Sequence, residues 1–218
     1  MELLSASFLN GILLFFIKGG IFMAVLMALS VVAGTVIIMR ATALRERNVL
    51  PPPLYEEIES LQPDQNLDRL HTLIEENPSA LGRVLEILLA HLTWPRAEVI
   101  EAVQTKARQE VARLEKGLVI LEIATGVAPL LGLLGTLSGL VGIFDSIGSD
   151  PIAVARGIAE ALNTTIVGLA VAAPCLTAHN YFQRRVEVMA IEMESLVADL
   201  IAKCYPEGAA PTIEKISK

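Results

Sequence analysis

The residues best suited to chemistry in this chain lie inside its apolar runs. The stretch from Gly157 to Leu176 reads GIAEALNTTIVGLAVAAPCL, with Glu160 and the pair Thr164-Thr165 at the head of a segment otherwise fit for lipid. An ionisable group in a membrane helix costs roughly 2.5 to 3.5 kcal/mol even on lenient scales, so its presence points to a task. The preceding apolar run contributes Thr136 and Ser138 in LLGTLSGL. With Ser149 taken as the hairpin tip, the rise of an α-helix puts Ser138 and Glu160 each about 16 Å down, Thr136 about 19 Å and Thr165 about 24 Å. A carboxyl and several hydroxyls in one layer of two antiparallel helices form a candidate functional layer, since polar groups within a membrane bundle commonly serve function. The same hydroxyls, with Asn163, also suit a structural role, because Ser and Thr in membrane helices bond to their own helix carbonyls. Thr164 and Thr165 are adjacent and point about 100 degrees apart, so only one of them leads into a given lumen. Hydrolysis fails on distance: His179, the candidate base for Ser138, falls about 45 Å from the tip, whereas a dyad needs about 3 Å. The chain is not read as an enzyme.

Such groups need spanning helices to position them, and the composition supplies them. The chain has 218 residues, 53% of them hydrophobic but only 5% aromatic, and its mean hydropathy of +0.57 is set by aliphatic runs. These values indicate a membrane protein. A net charge of -7 with no basic face argues against a nucleic-acid partner. Two cysteines, Cys175 and Cys204, have no spacing that suits a metal or a disulfide frame, and no motif calls for a cofactor.

The expected fold is all-α and integral to the membrane, with three transmembrane helices. Its segments are an interfacial or periplasmic helix over 1–17, a first span over 18–40, a cytoplasmic helical region over 41–115 and a second span over 116–147. A periplasmic turn over 148–150, a third span over 151–183, a cytoplasmic C-terminal helix over 184–205 and a tail over 206–218 complete the chain. Residues 1–17 suit a simple extension of the first span equally well, and that span reads as a retained anchor, being longer than a signal core. The second span is expected to continue the helix that starts after Pro95, and the third to run on past Arg185. Two long helices then extend into the cytoplasmic region. Pro129 and Pro174 each remove a helix hydrogen bond, which makes them the candidate kinks. Gly132, Gly135, Gly139 and Gly142, with Gly126 further back, form a narrow stripe for close helix approach.

Orientation follows from the basic residues. Arg40, Arg45 and Arg47 follow the first span, Arg108, Arg113 and Lys116 precede the second, and Arg184 and Arg185 follow the third, while Asp145 to Asp150 has none. The positive-inside rule then puts the N-terminus and the hairpin outside, and the middle region and C-terminus in the cytoplasm.

Three blocks carry a family likeness: KGGIFMAVLMALSVVAGTVIIMR, PLLGLLGTLSGLVGIF and DPIAVARGIAEALNTTIVGLAVAAPCLTAHNYF. They resemble the MotA/TolQ/ExbB proton channel family, most of all its ExbB-like branch. The resemblance implies a ring-shaped oligomer in the bacterial inner membrane, a pentamer of long helices around a dimer of single-span ExbD- or TolR-like partners. Proton flow between them would drive a movement delivered, through a TonB-like protein, to outer-membrane transport; a TolQ-like role in envelope integrity is the alternative. It also implies that Thr136 and Thr165 line the route beside an aspartate of the partner, with Glu160 tuning helix contacts or proton access. Ser138, with Leu137, stands where many relatives have an aromatic residue or methionine. A competing reading is a non-conducting scaffold in which Glu160 pairs with Arg156, one turn away on the helix.

Overall fold

The computed structural model describes residues 20–62, 66–144 and 151–205, and every regular element among them is a helix. In chain order these are α1 (Gly20–Ala43), α2 (Glu46–Val49), α3 (Pro52–Ser60), α4 (Asp68–Glu76), α5 (Ala80–Ala90), α6 (Arg96–Glu115), α7 (Leu118–Phe144) and α8 (Pro151–Cys204). Three are long and apolar enough to cross a membrane, within Gly20–Ala43, Leu118–Ile143 and Val154–Cys204. The helix, the turn and the tail expected over 1–17, 148–150 and 206–218 lie outside the described residues.

The chain divides into two compact units, one holding residues 20–39 and 117–181, the other residues 40–116 and 182–205. In the first, α1 buries Met23, Leu26 and Ala33 along one stripe and exposes Ile21, Val31 and Ile38. Exposed aliphatics of this kind suit a helix whose solvent on one side is lipid. Pro129 and Pro174 lie inside α7 and α8, and neither interrupts its helix.

The second span does not continue the preceding helix, contrary to expectation. Helix α6 ends at Glu115, Lys116 turns extended, and Gly117 takes φ +93 before α7 begins. That left-handed conformation costs glycine little and other residues much, so Gly117 ends the run although the apolar pattern continues through it. Helix α8, by contrast, runs on past Arg185 without a break. The boundary drawn between 183 and 184 is no break, since α8 is one helix of 54 residues, about 80 Å long. The first span also reaches beyond residue 40, to Ala43.

In the second unit the last part of α8 supplies the apolar stripe Val186, Met189, Met193, Leu196, Val197 and Leu200, all buried. Leu81, Val84, Leu85 and Leu88 of α5 are buried as well, while Leu89 is half-buried. Ser79 caps α5, its hydroxyl accepting from the Gly82 amide at 3.0 Å. Polar residues of α8, and Tyr205 just past it, in turn serve the ends of other helices. Arg185 Nε donates to the Leu44 carbonyl at 2.6 Å, just past α1, and Lys203 Nζ donates to the Ile58 carbonyl at 2.8 Å, in the last turn of α3. The Tyr205 hydroxyl donates to the Leu92 carbonyl at 2.8 Å, just past α5. Helix C-termini carry unpaired carbonyls and partial negative charge, so cations and hydroxyl donors are favourable there.

Candidate functional site

Helices α7 and α8 approach closely because small residues face each other. A Cβ added to Gly132 would lie 2.9 Å from the Thr164 carbonyl oxygen, and one added to Gly139 would lie 2.8 Å from Ala161 Cβ. On the opposite helix, a Cβ at Gly168 would meet the Ala128 carbonyl oxygen at 2.6 Å. Only small residues allow backbones this near. Gly126 and Gly142, also assigned to the expected stripe, have nothing within 4 Å. The close seam therefore uses Gly132, Gly135 and Gly139 and turns away from the other two.

Three hydroxyls converge on this seam. Thr136 Oγ1 lies within direct hydrogen-bond contact of Thr165 Oγ1 and 3.4 Å from Thr164 Oγ1. Two backbone carbonyls complete the cluster. Gly132 O lies 3.2 Å from the Thr136 hydroxyl, 3.1 Å from that of Thr164 and 3.1 Å from that of Thr165. Ala161 O lies 3.1 Å from the Thr136 hydroxyl and 2.8 Å from that of Thr164. Thr136 and Thr164 are buried, at 8% and 2% exposure, whereas Thr165 is half-buried and forms the open side of the group. Among the described residues no buried side-chain nitrogen or oxygen lacks a partner. In an apolar surround that satisfaction matters, because an unmet hydroxyl costs about 1 to 3 kcal/mol.

Thr136 and Thr165 thus meet directly. Both adjacent threonines join one cluster, although their spacing assigned a given lumen to only one of them. Gly132 and Gly135 explain it: Thr164 fills the notch over Gly135, where an added Cβ would lie 2.7 Å from its Oγ1, while Thr165 backs onto Gly132. Ser138 is exposed, and Asn163 is half-buried. Glu160 is half-buried on α8, one turn before Thr164 and about 7 Å along the axis from Thr165. His179 Nδ1 lies 3.2 Å from the Leu118 carbonyl oxygen, about 30 Å along α7 from Ser138, so the two form no dyad.

A second polar centre, in the other unit, went unnoticed in the sequence. Glu110 of α6 is fully buried. Arg83 donates to its Oε2 through Nε at 2.9 Å and Nη2 at 2.6 Å. Lys106 Nζ lies 3.2 Å and Arg113 Nη1 2.9 Å from Oε1. Burial pushes this carboxyl up, but the hydrogen bonds and charges of Arg83 and Lys106 outweigh it and hold Glu110 below the ordinary carboxylate range. Lys106 and Arg113, four residues before and three after, were the available signal.

Three apolar helices of spanning length, two of them joined by a buried hydroxyl seam, define an all-helical membrane protein. The model of the MotA/TolQ/ExbB proton channel family matches residues 77–195, more than half of the chain. The chain belongs to that family. It is 32% identical over 170 residues to the putative biopolymer transport protein ExbB-like 1 of Synechocystis, covering 72% of this chain and 65% of that protein. It is 39% identical over 94 residues to the putative biopolymer transport protein ExbB homolog of Methanothermobacter thermautotrophicus, covering 42% and 34%. The biopolymer transport protein ExbB of Helicobacter pylori is 40% identical over 80 residues, covering 35% and 55%. The chain thus spans between a third and two thirds of the length of these curated relatives. The family is one of transport and ion conduction, not of enzymes.

Proposed function

We propose that this chain is an ExbB-like subunit of a proton-driven channel in the bacterial inner membrane, and that protons pass beside Thr136 and Thr165. The observation that carries this reading is the hydroxyl seam, in which three side chains and two carbonyls exchange hydrogen bonds between two spanning helices. Hydroxyls both donate and accept, so a chain of them can take up a proton at one end as it releases another at the other. Between Gly20 and Met39, Ile123 and Phe144, and Ala161 and Phe182 this chain supplies no aspartate. The acid that takes up each proton belongs, in this proposal, to a single-span ExbD- or TolR-like partner enclosed by several copies, five by family resemblance. Glu160, one turn away, tunes helix contacts or proton access.

The driving force has adequate scale. One charge crossing 100 mV releases about 2.3 kcal/mol, enough to bias packed helices between two arrangements but not to unfold them. The movement would be delivered through a TonB-like protein to outer-membrane transport, in keeping with relatives named for biopolymer transport. In this proposal the N-terminus lies in the periplasm and the C-terminus in the cytoplasm, an orientation supported by the basic residues at the span ends. Proton flux into liposomes holding the chain, with and without a partner bearing an intramembrane aspartate, tests this function. Flux that requires the partner and its aspartate is expected, and no flux under either condition would leave a non-conducting scaffold.

A further inference from the structure

The hydroxyl seam holds more hydroxyl protons than carbonyl positions to take them, and that imbalance singles out Thr164. Each threonine has one hydroxyl proton to donate. Each carbonyl already serves the helix ladder, leaving Gly132 O and Ala161 O about one further good hydrogen bond apiece. Three hydroxyl protons therefore compete for two carbonyl positions, and one hydroxyl must donate to another. Thr164 is not that donor. Its oxygen is 3.4 Å from Thr136 but only 2.8 Å from Ala161 O, and the Gly135 notch encloses it.

Once Thr164 holds Ala161 O, Thr136 and Thr165 share what remains, each other and Gly132 O. Two arrangements then have the same number of hydrogen bonds. In one, Thr136 donates to Thr165 and Thr165 to Gly132 O; in the other, Thr165 donates to Thr136 and Thr136 to Gly132 O. They differ in the direction of the bond between the two threonines and in which of the two donates to Gly132 O. If Thr164 lost its hydroxyl, Ala161 O, 3.1 Å from the Thr136 hydroxyl, would compete with Thr165 for its proton and bias Thr136 toward accepting from Thr165.

We infer that Thr164 is a positioning residue that keeps the Thr136–Thr165 hydrogen bond reversible by occupying the Ala161 carbonyl. The inference rests on the proton-route reading of the same seam. A relay needs this reversal after every transfer, because passing one proton flips each hydroxyl it crosses. Thr164 touches no transferred proton itself.

The test compares Thr164→Val, Thr164→Ser and the double variant Thr136→Val with Thr165→Val. All are reconstituted with the acid-bearing partner, with flux normalised to assembled oligomer and measured in H2O and D2O. Thr164→Val, nearly isosteric, is expected to lower flux roughly tenfold, the scale of one misdirected hydrogen bond in a low-dielectric site, and to raise the solvent isotope effect. Thr164→Ser should restore both to within about twofold of the parent, since it keeps the donor. Loss of flux in Thr164→Ser equal to that in Thr164→Val would make the role one of packing and overturn the inference. So would an unchanged isotope effect in Thr164→Val, or parental flux in it while the double variant is silent. Parental flux in the double variant would instead remove the proton-route reading beneath it. If Thr164→Val does not assemble, the isotope effect of Thr164→Ser against that of Thr164→Ala decides, and equal values overturn the inference.

Discussion

Gly168→Ala should separate α7 from α8 and undo the hydroxyl seam. The added Cβ would sit 2.6 Å from the Ala128 carbonyl oxygen and 3.1 Å from Gly132 Cα, whereas ordinary contact begins at 3.4 Å. Both obstacles are backbone, so no side chain can swing aside. The helices must part by about 0.8 Å at that level, which stretches the 3.1 Å contacts of Thr164 and Thr165 with Gly132 O to about 3.9 Å, past hydrogen-bond range. Overpacking costs about 1 to 3 kcal/mol and each of the two lost hydrogen bonds about 1 kcal/mol net, giving about 3 to 5 kcal/mol in all. Denaturation of the detergent-solubilised protein, with hydrogen exchange read over residues 128–136, measures both the stability and the locality. Gly126→Ala, in open space on α7, is the control and should lose little. Parental stability and unchanged exchange in Gly168→Ala would refute the close backbone contact and the seam built on it.

Other perturbations probe the second unit and Glu160. Glu110→Ala leaves Arg83, Lys106 and Arg113 facing an empty site and should destabilise by about 3 kcal/mol; Trp94, the sole tryptophan, lies in the same unit and reports the unfolding by fluorescence. Because the folded pKa of Glu110 is lowered, its contribution is fully present above the unfolded value near pH 4.5 and lost as pH falls through the folded value. The gap between parent and Glu110→Gln should therefore close below about pH 4.5, and a gap that widens there would contradict the ion cluster. Ser79→Ala removes the cap on Gly82 and should cost about 1 kcal/mol by the same fluorescence assay. Glu160→Gln should assemble normally and alter flux, and loss of the oligomer would make Glu160 structural.

The spans were legible because apolar runs of spanning length have few other uses, and the α8 stripe from Val186 to Leu200 because its period is helical. Thr136 and Thr165 were found together as polar exceptions in such runs. The depth count misplaced details, since it assumed a tip at Ser149 and knew nothing of the seam. Contacts pair Gly139 with Ala161 and Gly135 with Thr164, which brings Thr164 into the group and leaves Ser138 exposed on α7. The break at Gly117 was hidden because a single glycine is compatible with either a continued helix or a left-handed stop. The buried state of Glu110 was hidden for a different reason. Arg83 is distant in sequence, and only tertiary packing brings it to the carboxylate.

The central claim is that Thr136 and Thr165 carry protons between two spanning helices. Its most direct test is proton flux in liposomes holding the partner and either the parent chain or the double variant Thr136→Val with Thr165→Val, each first shown to be assembled. The account predicts that the double variant assembles and conducts no protons above the leak of protein-free vesicles. Parental flux in that variant would contradict it.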